Sequence, residues 1–209
     1  GRTVKMYNEE GFVYDVQTQD TILSVSVAEN GSIGVITNGT SYTVTVYSPS
    51  GNMLFQRVEA ESGIYPLCCD VSPDGEIIAI SYIDTTGVEI KSKIGMFYIN
   101  SDVGADYTDS MYGAVEKNDE IIFKMYFMGG NNLIAIGDRN ITSISAAGVE
   151  EGSVEVTNEI MGVGLCGNKI AMIYGEELSD KEGELPGTIV FVSSGGKLST
   201  GDSAEVDTD

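Results

Sequence analysis

The sequence predicts an all-β chain of the β-propeller kind, with about four four-stranded antiparallel blades and a partial N-terminal blade, arranged as an open or incomplete propeller. Three observations carry this. Short apolar–polar alternating runs recur between glycine turns, no long helical period interrupts them, and one strand–turn–strand plan returns four times at propeller-like spacing.

Taken in order, residues 2–7 and 12–17, with Glu10-Gly11 between them, are expected to be the outer two strands of a partial blade, 1–18. Blade 19–60 has an alternating run at 22–27, a turn at Asn30-Gly31, an apolar run at 33–36, a third run at 42–47, a turn at Ser50-Gly51 and a fourth run at 53–58. Blade 64–118 repeats the plan with 67–71, Asp74-Gly75, 77–80 and 94–99. Blade 119–158 has 121–127, a turn around Gly130-Asn131, 133–136, 141–145 and 153–156. Blade 159–200 has 160–165, Gly167-Asn168, 170–173 and 188–192, and 201–209 is a polar, acidic tail. The matching glycines, Gly31, Gly75, Gly130 and Gly167, stand 44, 55 and 37 residues apart. Asn-Gly and Asp-Gly supply the positive φ that two-residue hairpins need. One such sheet cannot bury both faces alone, so neighbours must stack.

Composition excludes several function classes. Asp and Glu number 32 against 11 Lys and Arg, a formal charge of −21. Such a surface repels phosphate backbones and anionic lipid, so nucleic acid and the membrane surface are excluded as partners. Cationic partners suit it, and solubility is its plainest effect. Histidine is absent, which removes Ser-His-Asp and Cys-His catalysis and imidazole metal sites. Cys68 and Cys69 are adjacent and Cys166 stands apart, with no CxxC spacing; all three are expected to pack as small apolar side chains. No apolar run is long enough to span a bilayer, and no signal peptide is expected within these residues. A chain that begins at Gly1 is expected to have lost an upstream segment.

Motifs that match by letters fail on context. Gly162-x-Gly164-x-x-Gly167 precedes another apolar strand rather than the helix a dinucleotide site needs. Gly195-Gly196-Lys197 has Phe191 where a P-loop has its first glycine. No G-x-S-x-G elbow occurs. Asn38 and Asn140 begin glycosylation sequons by letters alone. Asp102, Asp106 and Asp109 are calcium candidates, since a hard cation takes oxygen ligands, but their order is not that of an EF-hand. Residues 180–184 resemble half of such a loop. No cofactor is expected.

At the second blade the residues become recognisable. Tyr65-Pro66-Leu67, the run Asp70-Val71-Ser72-Pro73-Asp74-Gly75, then Ile80-Ser81-Tyr82 and Phe97-Tyr98 resemble a bacterial family of WD40- and YVTN-like propeller proteins built on a domain of unknown function. Gly1-x-x-Val4-x-x-Tyr7, Glu10-Gly11 and Tyr14 are similar to the same family, as are Phe127-Met128 and Ile134-Ala135-Ile136-Gly137-Asp138. The resemblance implies an N-terminal transmembrane helix outside this chain, so that the membrane is met only through a segment absent here. It also implies an extracytoplasmic location, mostly in Gram-positive anaerobes. It supplies no activity and no site residues.

Function is therefore expected in the long connections, where a rigid scaffold usually carries it. Residues 82–93 are expected to form an extended hairpin arm, with Tyr82, Asp84, Glu89 and Lys91 as interaction residues. The 175–187 connection offers Glu176, Glu177, Asp180, Glu182 and Glu184 on the same face. The expected role is a non-enzymatic protein-interaction or scaffold module. The alternative is a carboxylate-based enzyme or carbohydrate-binding propeller, which needs converging carboxylates of raised pKa in a deep pocket. Self-association through open blade edges is a third expectation.

Overall fold

The fold is that of a computed structural model, which describes residues 1–129, 131–156, 159–166, 169–175, 187–193, 199–200 and 204–205. Nineteen strands are described, apart from one short helix and one 3-10 turn. Strands β1 (Thr3–Asn8) and β2 (Gly11–Gln17) form a two-stranded sheet. Sheet I holds β3 (Thr21–Val27), β4 (Ile33–Asn38), β5 (Tyr42–Tyr47) and β6 (Met53–Glu59). Sheet II holds β7 (Ile64–Val71), β8 (Ile77–Asp84), β9 (Lys91–Tyr98) and β10 (Met111–Asn118). Sheet III holds β11 (Ile122–Met128), β12 (Asn132–Gly137), β13 (Asn140–Ile144) and β14 (Glu150–Glu155). Sheet IV holds β15 (Ile160–Cys166), β16 (Lys169–Gly175), β17 (Gly187–Ser193) and two short pieces, β18 (Ser199–Thr200) and β19 (Ala204–Glu205), both paired to β17. All pairs are antiparallel, and sheets I, II and III are plain meanders. Sheet IV thus continues into the segment expected to be a tail beyond residue 200, because β18 and β19 share one edge of β17.

The second strand of each sheet is a continuous apolar run because both of its faces are covered. Ile78 and Ile80 face sheet I, where they meet Ile36, Val44, Val46 and Phe55. Their neighbours Ile77 and Ala79 face sheet III and meet Met125, Phe127 and Leu133. Ile134 and Ile136 then pack against Ile170 and Met172 of sheet IV. Ile33 and Val35 are covered by Val4, Met6, Tyr14 and Val16 of β1 and β2. Cys69 and Cys68 follow the same alternation, one on each face of sheet II, and both are free thiols. Burial pushes the Cys68 thiol up to about 12.

First strands lie beside one another, β3 against β7 and β7 against β11. The stack therefore has two ends. The linker end holds the connections between sheets and those between second and third strands. The hairpin end holds the first–second and third–fourth turns. Gly31 and Gly75, in two of these turns, have φ of 84° and 77°, where a side chain would be strained. The turn expected at Gly130-Asn131 lies between β11 and β12, with Asn131 at φ 60°. Gly130 and Gly167 are outside the described residues.

Candidate functional site

At the linker end, one device repeats. Each first strand slips register by one residue within its first four positions: between Ile22 and Ser24, Pro66 and Cys68, Ile122 and Lys124, and Ile160 and Gly162. The extra residues are Leu23, Leu67, Phe123 and Met161, all large and apolar. A bulge re-aims a side chain that regular pleating would send elsewhere. Leu23, Phe123 and Met161 are exposed by 50%, 39% and 63%. Phe123 and Met161 border a shallow hollow of about 280 Å³ with Lys124, Ile160 and Val163.

The extended hairpin expected at 82–93 is paired over residues 82–84 and 91–93, but its second strand does not begin at Val88. Strand β8 ends at Asp84 and β9 begins at Lys91, so residues 85–90 form an irregular six-residue loop. Asp84 holds the turn down, accepting from Thr86 N–H (2.9 Å), Thr86 Oγ1 (2.6 Å) and Lys93 Nζ (2.6 Å). The Lys93 ammonium and the Thr86 donors keep its carboxyl well below the usual range. Thr85 N–H donates to Gly63 O at 2.8 Å, tying the loop back to the sheet I–sheet II link. Asp84 and Tyr82 are buried rather than presented to a partner. Lys91 pairs with Glu116 at 2.8 Å, and Glu89 is exposed. What the loop does present is Val88, fully exposed, and Ile90. Tyr65 and Tyr42 pack edge-to-face at the same end, with ring centroids 5.7 Å apart. Glu176, Glu177, Asp180, Glu182 and Glu184 lie outside the described residues.

Tyr82 instead anchors a groove of about 350 Å³ between sheets I and II. Its hydroxyl donates to Glu59 Oε1 at 2.6 Å, and Arg57 Nε donates to the same oxygen at 2.6 Å. The Arg57 guanidinium lies 4.8 Å from the Phe97 ring centroid. Burial and the Glu59 carboxylate together push the Tyr82 hydroxyl far above its ordinary value.

Buried polar groups stitch sheet II to sheet III. Ser81 Oγ donates to Ile122 O (2.8 Å), Ser92 Oγ donates to Glu120 O (2.8 Å), and Ile122 N–H donates to Ser92 Oγ (2.9 Å). Asp70 accepts from Phe127 N–H at 2.6 Å. Burial raises its carboxyl to about 7, partly offset by the Phe127 amide and by Lys124. Glu120 is buried and accepts from Asn140 N–H and Nδ2.

The hairpin end is tied across sheets by side chains. Asn30 Nδ2 donates to Asp74 O (2.9 Å), and Asn131 Nδ2 donates to Asp74 Oδ2 (2.7 Å). The Asp74 carboxyl feels some burial, but the Asn131, Ser72 and Glu76 donors win and lower it. Sheet I turns from third to fourth strand through residues 48–52 alone. Sheet II spends residues 99–110 on the same turn, with helix α1 (Ser101–Gly104) and a 3-10 turn (Thr108–Ser110). Asp109 and Ser110 adopt φ of 53° and 62° there. Asp102 lies in α1, and Asp109 reaches Arg57 at 3.8 Å. Among the described residues no group of three or more acidic or cysteine side chains could hold a metal ion, so Asp102, Asp106 and Asp109 are not brought together as a ligand set. The loop instead closes an aromatic cluster: Tyr98 lies 4.6 Å from Tyr112 and 5.2 Å from Tyr107, centroid to centroid. The Tyr112 hydroxyl is buried without a hydrogen-bond partner among the described residues.

Sequence reasoning missed Asp70, Ser81, Ser92 and the tyrosine cluster. A charged residue inside the apolar run 67–71 was the available signal for Asp70. The tyrosines are 14 residues apart in sequence at their extremes and share no spacing rule.

The chain is similar to solved propeller and WD40 structures. Against BamB from Moraxella catarrhalis the TM-score is 0.56 with 13% identity, covering 92% of this chain and 52% of that one. Against the RRP9 WD40 repeats it is 0.60 with 11% identity, covering 95% and 53%. Against the complex of KlAtg21 with the coiled-coil of AgAtg16 it is 0.63 with 13% identity, covering 98% and 65%. This chain spans about half to two thirds of those chains' length, and at such identities the likeness fixes the fold alone: a β-propeller-like, WD40-like architecture. No curated protein sequence matches. The profile of a family of unknown function, DUF5711, matches residues 1–202. With nearly its whole length matched, the chain belongs to the DUF5711 family.

Proposed function

We propose that the chain is a non-enzymatic protein-interaction module that docks a protein partner across its linker end. The carrying observation is the repeated bulge, which leaves Leu23, Phe123 and Met161 exposed on three of the four first strands. The Val88–Ile90 loop adds apolar surface at the same end. Large apolar side chains exposed together, as Phe123 and Met161 are around one hollow, mark interaction sites. WD40-like neighbours include one solved with a coiled-coil partner. The carboxylate-enzyme reading lacks support: burial raises the Asp70 carboxyl, but its charged neighbour is Lys124 rather than a second acid.

The test is photo-crosslinking in the native cell from position 88, position 161 and, at the opposite end, position 9. Partner adducts from 88 and 161 but not from 9 are expected. Equal yields from all three, or adducts from 9 alone, contradict the docking face. A parallel double variant, Val88→Asp with Ile90→Asp, is expected to cut partner capture about tenfold or more while leaving thermal unfolding unchanged, since exposed substitutions rarely move stability.

Location on the outer side of a bacterial membrane completes the proposal, on the strength of the sequence resemblance. Among the described residues no helix is long and apolar enough to cross a membrane. A membrane-impermeant amine reagent is expected to label the protein in intact cells. Complete protection until lysis contradicts that location.

A further inference from the structure

The opposite end carries a second surface of different chemistry. A hollow of about 380 Å³ opens between the start of β6 and the long 99–110 connection, lined by Leu54, Glu76, Tyr98, Ile99, Asn100 and Val103. Its apolar part is formed by Leu54, Ile99, Val103 and Tyr98, and Leu54 and Val103 remain exposed by 47% and 50%. Its polar part is uncommitted. Glu76 uses its backbone N–H on Asp74, but its carboxylate takes no hydrogen bond or ion pair among the described residues. Asn100 uses Oδ1 on the Asp102 N–H, which leaves its Nδ2 free to donate. No cation lines the hollow.

Other features argue against leaving the site to chance. The loop that walls it replaces a tight turn with twelve residues and holds Asp109 and Ser110 at positive φ, a conformation that costs free energy for non-glycine residues. That loop places Tyr107 on Tyr98 and fixes the Tyr98 ring at the hollow's edge. The charge around it is one-sided. The described turns at this end carry Glu9, Glu10, Glu29, Asp74, Glu76, Asp102, Asp106 and Asp109, and of these only Asp109 has a described cation within ion-pair reach, Arg57 at 3.8 Å. By contrast Lys91, Lys93, Lys117 and Arg139 lie toward the linker end, in strand and turn positions there, where each has an acidic partner.

We propose that this hollow receives one arginine or lysine side chain from a basic segment of a protein partner. Its aliphatic stem lies along Leu54, Ile99 and Val103, and its cationic head meets Glu76 and the Tyr98 ring. A cation over a tyrosine face, with an unpaired carboxylate beside it, gains both terms at once. A neutral ligand such as a sugar gains nothing from the surrounding negative potential. The exposed Leu54, Val103 and Tyr107 around the mouth fit residues flanking that side chain, so the ligand is a peptide segment and not a free amine. This surface is distinct from the linker-end docking face, and either stands without the other.

The test is amide chemical-shift mapping of the full chain titrated with a capped tetrapeptide bearing two arginines. Shifts confined to Gly75, Glu76, Asn100 and Val103 are expected. Glu76→Gln is expected to weaken binding about fivefold, the scale of one partly exposed ion pair. Glu9→Gln with Glu10→Gln removes more charge from the same end and is expected to change it less than twofold. Val88→Asp with Ile90→Asp is expected to leave it unchanged. Equal losses in the Glu76 and Glu9/Glu10 variants mean diffuse attraction and overturn the proposal. So do shifts scattered over all the acidic turns, no shift at all, or a neutral trisaccharide moving these amides when the peptide does not.

Discussion

Asp70 sits in the seam between sheets II and III with its carboxylate turned to the Phe127 amide. Burial raises it from 3.8 to about 7, so the folded chain keeps a proton that the unfolded chain releases between those values. The stability tied to that proton is fully present below pH 3.8 and is lost as pH rises through about 7. Asp70→Asn retains an acceptor for Phe127 N–H and cannot ionise. It is expected to be more stable than the parent by about 1–3 kcal/mol at pH 8, with the difference shrinking toward pH 5. Denaturant unfolding at the two pH values checks this; a variant less stable at pH 8 contradicts it. The sequence marks Asp70 as a charge in an apolar run, but not which neighbour receives it, because Phe127 is 57 residues away and only the stacking brings them together. Turn residues are a different matter. Asn30-Gly31 and Asp74-Gly75 were legible because their φ requirement is local. Their bonds across sheets, Asn30 to Asp74 and Asp74 to Asn131, were not, because those are made by separate repeats.

Among the elements, the second strands were the most legible, since burial on both faces writes an unbroken apolar run. Residues 88–90 misled by a related signal. Their alternation looks like a strand, yet the Asp84–Thr86–Lys93 bonds and the Thr85 tie to Gly63 bend the chain before a ladder can extend. The bulges in β3, β7, β11 and β15 were invisible too, because one extra apolar residue does not break an alternating pattern visibly. Contact between elements also depends on small buried polar groups. Ser92 both donates to Glu120 O and accepts from Ile122 N–H, closing the entry of β11 onto β9. Ser92→Ala leaves both backbone groups unpaired in a buried seam and is expected to cost about 1–3 kcal/mol. Urea unfolding measures it, and a change under 0.5 kcal/mol, the usual scatter of neutral substitutions, contradicts the stitching role.

At the scale of the whole molecule, the sheets radiate from adjoining first strands, and each seals the apolar surface of the next. That arrangement generates the two ends and their contrast: apolar bulges and mixed charge at the linker end, acidic turns and an aromatic hollow at the hairpin end. Repetition made the architecture legible from spacing alone. The ends were only half legible, because loop length shows in a sequence whereas the side a bulged residue faces does not. If the stacking is right, protection must follow cover: β8 and β12 have neighbours on both faces, β1 and β2 on one. Amide hydrogen exchange on the intact chain measures that directly. Strands β8 and β12 are expected to exchange slowest, and β1 and β2 to open far earlier. Even protection along the chain, or β1 and β2 outlasting β8, would contradict the stacking.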